Sequence, residues 1–394
     1  MHEIRQAIIL AAGEGRRLRP FTVNKPKAML AIAGKPIIQY VIEALSQNGI
    51  RDIICIIGYQ HEQITSYLGN GSRYGVDIRY ISQDKQLGTA HALFQAKGAT
   101  ANEFLVIHGN KLFGPETVAE FVKVKPNALL VRKVENPSRY GVVSVKNGKL
   151  TGIIEKPMQP AGNTVNGGIY AFNSDIFSYI DNALDIPNAL SAMLRDGKEI
   201  SVIESQGMWL DVAYPWDLLM MNDTILQNMT AVTSGTIENG VSLKGAVSIG
   251  KNSIIRQNTY ITGPVIIGEG CDIGPSVCIF PSTSIGSNVV LAPFTEVRNS
   301  IIGDDVHIGS GSIIQDSMID RGCNIGAHFC GCSGEAEVKV DGEHYSINIG
   351  ATLGEGCKLE HSITVKPGTI IGNYSKIESL KLVGGIIPDK SLVV

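Results

Sequence analysis

The sequence predicts two architectures in series: an α/β domain on a mostly parallel sheet, then a three-sided parallel β-solenoid. Three observations carry this. Residues 1–228 alternate short apolar, β-branched runs with amphipathic stretches, the grammar of strands covered on both faces by helices. From Gly240 onward aliphatic residues recur every six positions, a period that is neither that of a helix nor that of a flat strand. Finally, 44 glycines stand beside 10 Phe, 2 Trp and 12 Tyr in 394 residues, which suits a narrow interior with many tight corners.

In the first region the strand signals are Ala7–Leu10, Ile53–Ile57, Phe104–Ile107, Ala128–Val131, Ile153–Ile154 and Ile200–Ile203. Between them lie the helical stretches Pro36–Gln47, Glu62–Leu68, Ala90–Ala96 and Pro115–Val124, and a last helix from Pro215 to Asn228 closes the region. Ligands of such sheets sit beyond the carboxyl ends of the strands, so the loops there are the place to look for chemistry.

The six-residue ladder runs through Ile249, Ile255, Ile261, Ile267, Ile273, Ile279, Ile285, Leu291 and Val297. After small slips it continues at Ile308, Ile314 and Ile325, then at Leu359, Val365, Ile371 and Ile377. Each short strand turns one aliphatic residue inward, and each corner takes a small residue or one tolerant of positive φ. The repeat breaks once, between Ala327 and Asn348. Cys271, Cys323 and Cys357 share the phrase Gly-Cys-x-(Ile/Leu), so ordinary packing accounts for them. The spacing of Cys330 and Cys332 is not that of a zinc site.

A formal charge of −3 gives no bulk attraction to nucleic acid or an anionic membrane. No apolar run approaches the ~18 residues of a membrane span. Met1-His2-Glu3-Ile4-Arg5 leads into a strand rather than a cleavable leader, and seven cysteines read as reduced thiols. A cytoplasmic protein with no nucleic-acid or membrane partner is expected.

The first strand opens into Ala11-Ala12-Gly13-Glu14-Gly15-Arg16-Arg17-Leu18-Arg19-Pro20-Phe21-Thr22, with Lys25-Pro26-Lys27 close behind. Glycines let backbone N–H groups approach phosphate oxygens while Arg and Lys neutralise their charge. The spacing is neither a Walker loop nor Gly-x-Gly-x-x-Gly.

With these residues the chain resembles the sugar-1-phosphate nucleotidylyltransferases, whose signature it matches from Leu10 through Thr22 and at Lys25–Lys27, with Arg16 where Thr or Ser is usual. The resemblance implies a Rossmann-like nucleotidyltransferase domain over 1–228, a linker over 229–240 and a left-handed β-helix over 241–394 with an inserted loop at 327–348. It also implies attack of a hexose-1-phosphate on the α-phosphorus of a nucleoside triphosphate, UTP or dTTP in preference to the purines. Leu10, Ala11, Ala12, Gly13, Gly15, Gln83, Gly88 and Thr89 would bind the nucleotide, and Gly141, Glu155, Lys156 and Asn166 the sugar phosphate. Arg17, Lys27 and Asp211 would be catalytic. Asp211, in the motif Trp209-Leu210-Asp211-Val212 with Asp217, would hold Mg²⁺; by residue type alone Asp211 also reads as a helix N-cap before Pro215.

One position departs from the family. Asn110, in His108-Gly109-Asn110-Lys111, stands where the family carries a second metal aspartate, so the metal pair is degenerate: an amide brings no charge to a hard cation. Lys111 either substitutes in part for the missing cation or faces solvent.

The hexapeptide repeats resemble those of acyltransferases, some of which are fused to a nucleotidylyltransferase and acetylate glucosamine-1-phosphate from acetyl-CoA. Their Pro-His-Leu base segment reads Pro293-Phe294 here, leaving His307, His328, His344 and His361 as candidate bases. Acetyl-CoA is therefore implied only if this domain is an active acetyltransferase. The alternative is an assembly device, a homotrimer through the β-helix, with hexamers left open. A catalytically weakened, nucleotide-sugar-binding regulatory protein is the other reading.

Overall fold

A computed structural model describes residues 3–180, 184–340 and 342–394. The chain forms two compact units: Met1–Glu14, Lys25–Met29 and Pro36–Asp211 make the first, and Gly15–Asn24, Leu30–Lys35 and Val212–Val394 the second. Among the described residues no helix is long and apolar enough to cross a membrane.

In the first unit the strands are β1 (Gln6–Leu10), β2 (Asp52–Ile57), β3 (Asp77–Ser82), β4 (Glu103–His108), β5 (Lys111–Phe113), β6 (Ala128–Lys133), β7 (Gly141–Lys146), β8 (Lys149–Glu155), β9 (Thr164–Asn173), β10 (Ser201–Glu204) and β11 (Trp209–Asp211). Nine of them form one sheet in the order β3-β2-β1-β4-β9-β6-β10-β8-β7, while β5 and β11 pair separately. β1 lies parallel to β2 and β4, and every residue of it is buried. Its side chains alternate between two cores: Ala7 and Ile9 join one, Ile8 and Leu10 the other. The helices α1 (Ile37–Gln47), α2 (His61–Leu68) and α4 (Pro115–Val122) feed the first core, through Ile38, Val41, Leu45, Ile64 and Phe121 among others. The second receives Ala90 and Leu93 of α3 (Thr89–Phe94) and Leu190 and Met193 of α5 (Ile186–Arg195).

The parallel arrangement holds for β3, β2, β1 and β4. Beyond them the sheet is mixed, because β9 runs antiparallel to both β4 and β6. Sequence reasoning did not find β9, since Asn166-Gly167-Gly168 interrupts it. The strand absorbs those glycines as an irregularity: its register on β6 jumps from Asn166 to Tyr170.

The second unit contains α6 (Pro215–Leu226) and the repeats. Three parallel sheets of nine, eight and eight short strands stack coil on coil. One ladder runs in register through Ile255, Ile273, Leu291, Ile308, Ile325, Leu359 and Ile377, and all of these are buried in one core. Cys271, Cys323 and Cys357 are buried in that core too. Phe329 fits inside because the ladder position above Ile314 is Gly331: a Cβ there would stand 2.9 Å from the Phe329 ring. The break in the repeat is an antiparallel hairpin, Gly334–Val340 with Glu343–Ile349.

Helix α6, which the sequence places at the end of the N-terminal region, packs within the second unit. Asn222 ties it there alongside the buried Leu218, Leu219, Met221 and Leu226. Fully buried, it accepts from Ala33 N–H (2.9 Å) and from the Ser284 hydroxyl (2.5 Å), and donates to Ser282 C=O (2.8 Å). Each stranded buried partner costs about 1–3 kcal/mol. Asn222→Ala is thus expected to destabilise this unit by about 2–3 kcal/mol, read as a lowered melting midpoint by circular dichroism.

Candidate active site

The end of β1 is held by its neighbours: Ala11 N–H donates to Ile56 C=O and Gly109 N–H to Leu10 C=O, both at 2.9 Å. Leu10, Ala11 and Ala12 are buried, so this part of the signature contributes backbone, not side chains. Gly13 is exposed, and nothing lies within 4 Å of where a Cβ would stand.

From Gly15 to Asn24 the signature folds with the second unit. Thr22 Oγ1 donates to Gly15 C=O (2.8 Å), and Asn373 Nδ2 donates to Pro20 C=O (3.1 Å). The Arg17 guanidinium lies 5.9 Å from the centre of the Tyr214 ring. Tyr214 stacks on Trp216 (4.8 Å, 8° between planes) and shares a hydroxyl hydrogen bond with Tyr345 of the inserted hairpin. The sequence points to Arg17 but not to this aromatic support, whose residues lie between 197 and 328 positions downstream.

In the first unit β11 pairs antiparallel with β5, setting Asp211 directly opposite Lys111. Lys111 does not face solvent. It is 7% exposed, with Nζ 3.9 Å from Asp211 Oδ2 and over the rings of Trp209 (5.0 Å) and Tyr140 (5.3 Å). Gly168 makes room for it, since a Cβ there would come within 3.1 Å of the lysine Cδ. Asn110 Nδ2 reaches Asp211 Oδ1 at 3.4 Å. Burial works to raise Asp211, but the positive charges of Lys111 and then Lys27 outweigh it and hold the carboxyl below its ordinary range.

Asp211 does not cap α6. That role falls to Asp217, whose carboxylate accepts from the Ala213 and Tyr214 N–H groups, each at 2.8 Å. Asp217 is thereby committed to the helix start. Asn110 and Asp211 do not fit Mg²⁺. The pair offers one carboxylate, both of whose oxygens already face cationic or N–H groups, where this ion in a phosphate site favours carboxylates. Among the described residues no three His, Cys, Asp or Glu side chains converge as a metal site.

His108 closes the floor. Its Nε2 is inaccessible and has no hydrogen-bond partner among the described residues. Burial, then Lys111 and Lys27, push its pKa down to about 3, against the pull of Asp211. An unfolded histidine takes its proton near ~6.5, so on acidification the unfolded chain is protonated first. His108 should leave stability untouched above that pH. Below it, His108 should remove up to about 1.4 kcal/mol per pH unit, until its folded value of about 3 is passed. The non-titrating His108→Asn variant should unfold with a shallower acid slope.

Gln83, Gly88 and Thr89 come together as expected, but their polar groups are engaged. Gln83 is 3% exposed and its Nε2 donates to Gly88 C=O (3.1 Å). Asp185 Oδ1 accepts from Thr89 N–H (3.2 Å), and Ala90 N–H donates to Leu184 C=O (2.9 Å). Gly88 is required by this closeness: at φ 117°, its Cβ would stand 2.3 Å from Leu184 O. In this state Gln83 anchors the turn instead of presenting its amide donor, and Asp185, which sequence reasoning missed, caps it.

On the sugar side Glu155 lies opposite Gly141 across the β7–β8 pair, and a Cβ at Gly141 would stand 2.8 Å from Glu155 Oε2. Lys156 Nζ is 3.8 Å from Glu155 Oε1. Burial raises the Glu155 pKa, partly offset by Lys156. Asn166 is also held internally: Nδ2 donates to the Tyr170 hydroxyl (2.7 Å), and Oδ1 accepts from Gly168 N–H (3.0 Å). It fixes the glycine bend whose Gly167 C=O receives the Trp209 indole N–H (2.7 Å).

A parallel α/β core whose first strand opens into a glycine loop, with cations and a carboxylate at the strand ends, is a nucleotide-handling domain. The chain belongs to the nucleotidyl transferase family, whose model matches residues 6–228. The model of the GMPPB C-terminal domain matches residues 261–336. The chain is 33% identical to the bifunctional protein GlmU of Methanococcus maripaludis, over 98% of this chain and 96% of that protein. It is 35% identical to the bifunctional sugar-1-phosphate nucleotidylyltransferase/acetyltransferase of Sulfurisphaera tokodaii, over 94% and 95%. A Bacillus anthracis crystal structure described as a "Putative Glucose-1-Phosphate Thymidylyltransferase" aligns with TM-score 0.53 and 32% identity, covering 58% of this chain and 97% of that one.

Proposed function

We propose that the protein transfers a nucleotidyl group from a nucleoside triphosphate to a hexose-1-phosphate, glucose-1-phosphate or N-acetylglucosamine-1-phosphate, giving an NDP-sugar and pyrophosphate. The observation that carries this reading is the glycine loop that follows the first strand, exposed at Gly13 and followed by Arg17 and then Lys27. Its membership of the nucleotidyl transferase family supports the reaction type.

The sugar-phosphate oxygen attacks the α-phosphorus, the bond to the β-phosphate bridging oxygen breaks, and pyrophosphate leaves. The nucleophile is already an anion, so no strong general base is needed; positioning and charge dispersal make up the catalysis. Arg17 and Lys27 neutralise the triphosphate, Glu155 accepts from sugar hydroxyls, and Lys156 holds the sugar phosphate. Gln83 and the Gly88 turn favour UTP or dTTP, once the turn releases the Gln83 amide. Mg²⁺, where bound, would supply charge on the phosphates, but Asn110 and Asp211 offer it a single carboxylate and do not fit it. A pyrophosphate-release screen of UTP, dTTP, ATP and GTP against the two sugar phosphates tests the proposal. Turnover with one pyrimidine triphosphate is expected, and its absence with all four would count against it.

A second reading is favoured by one observation: relatives named as bifunctional align with both parts of the chain. Acetyl transfer from acetyl-CoA to glucosamine-1-phosphate would need a base in the solenoid. His361 Nδ1 accepts from Ala327 N–H (3.0 Å) and the His328 ring packs against Gly311, so both serve corners, while His307 and His344 are exposed. We therefore favour the solenoid as the assembly surface of a cytoplasmic homotrimer. Thiol release from acetyl-CoA on adding glucosamine-1-phosphate would reverse that preference.

A further inference from the structure

The surroundings of Lys111 are those of a bound cation. A buried ammonium is costly unless it is paired, and this one is enclosed by one carboxylate and two aromatic faces. Asp211 lies opposite it on the neighbouring strand, the Trp209 and Tyr140 rings stand 5.0 and 5.3 Å from Nζ, and Gly168 leaves space for its stem. The indole that forms one wall is fixed by its own hydrogen bond to Gly167 C=O. Nothing here is left to a flexible surface side chain.

The charge count points the same way. Two carboxylates around a divalent ion sum to zero, and so do one amide (Asn110), one carboxylate (Asp211) and one ammonium (Lys111). The carboxylate that Asn110 lacks and the ammonium of Lys111 sit on adjacent residues, and their charges compensate each other. A divalent ion bound to Asp211 at ~2.1 Å would have to share that carboxylate with an ammonium already 3.9 Å away. The two cations compete for one place.

We propose that the Lys111 ammonium is the built-in cation of the nucleotide site, replacing a metal ion there, so that the triphosphate binds without Mg²⁺. An ammonium has three donors, and Asp211 Oδ2, at 3.9 Å, engages at most one of them. The proposal rests on the nucleotidyl-transfer reading of the same site and adds to it the source of positive charge.

The test is calorimetric titration of UTP, dTTP, ATP and GTP into the full-length protein, in EDTA and in Mg²⁺. A triphosphate that binds with dissociation constants within about threefold in the two buffers is expected. Removing one charged hydrogen-bond donor is worth about 1.5–3 kcal/mol, a factor on the order of 10–100, so Lys111→Met should weaken metal-free binding by that factor. The double variant Asn110→Asp/Lys111→Asn, which restores two carboxylates, should bind Mn²⁺ by electron paramagnetic resonance where the wild type does not, and should bind nucleotide better with metal than without. Wild-type binding that requires Mg²⁺, Mn²⁺ binding by the wild type alone, or unchanged metal-free affinity in a folded Lys111→Met would each overturn the proposal. If Lys111→Met does not fold, the wild-type comparison still decides. No binding of any triphosphate in either buffer would overturn the nucleotidyl-transfer reading as well, which separates the two failures.

Discussion

Arg17→Ala is expected to lower nucleotidyl transfer by a factor on the order of 10³, with the protein still folded. Removing one preorganised donor from developing charge costs about 10²–10³ in rate, and arginines on transferring phosphoryl groups reach 10³–10⁵. The structure prepares Arg17 for this work through Tyr214, which packs in a three-ring cluster with Trp216 and Tyr345. Arg17→Lys should recover only part of the loss, because a point charge cannot present the planar fork of a guanidinium. Steady-state rates with saturating sugar phosphate, alongside melting curves for both variants, check this. An unchanged rate would show that the loop does not serve the triphosphate.

Ile308→Asp is expected to abolish the folded solenoid. Ile308 is fully buried between Leu291 and Ile325 in one ladder. Among the described residues of the solenoid no Lys, Arg or His is buried, so the carboxylate could neither ionise nor pair without cost. Burying an unpaired charge belongs to the mechanisms that exceed about 4–5 kcal/mol. In a stack where each coil rests on its neighbours, the break also removes the coupling between the coils on either side. Ile308→Val, which deletes one methylene, should cost only about 0.5–1.5 kcal/mol. Circular dichroism and proteolysis of the two variants distinguish a broken array from a loosened one.

The ladder was legible because a solenoid core is one-dimensional: each inward residue is specified by its distance along the chain, and slips appear directly as missing residues. The α/β half was legible where strands are apolar on both faces, as in β1, β2 and β4. It was not legible at β3, whose residues Asp77–Ser82 mix buried and exposed positions at the sheet edge, and at β9, where two glycines sit within the strand. The signature loop could be read as chemistry since its residues are contiguous. The neighbourhood of Lys111 could not: only the β5–β11 pairing brings residues 111 and 211 face to face, and only then does a lysine next to a degenerate metal position become a buried, boxed cation. The same holds for Asp185 over the Gly88 turn, a contact across nearly a hundred residues.

The most direct test follows the α-phosphorus. UTP or dTTP labelled there, incubated with the protein and a hexose-1-phosphate, should yield label in the NDP-sugar and unlabelled pyrophosphate, and Arg17→Ala should leave the label in the triphosphate. Label that stays in the triphosphate with the folded wild-type protein, or that is released only as the free monophosphate, would contradict the account.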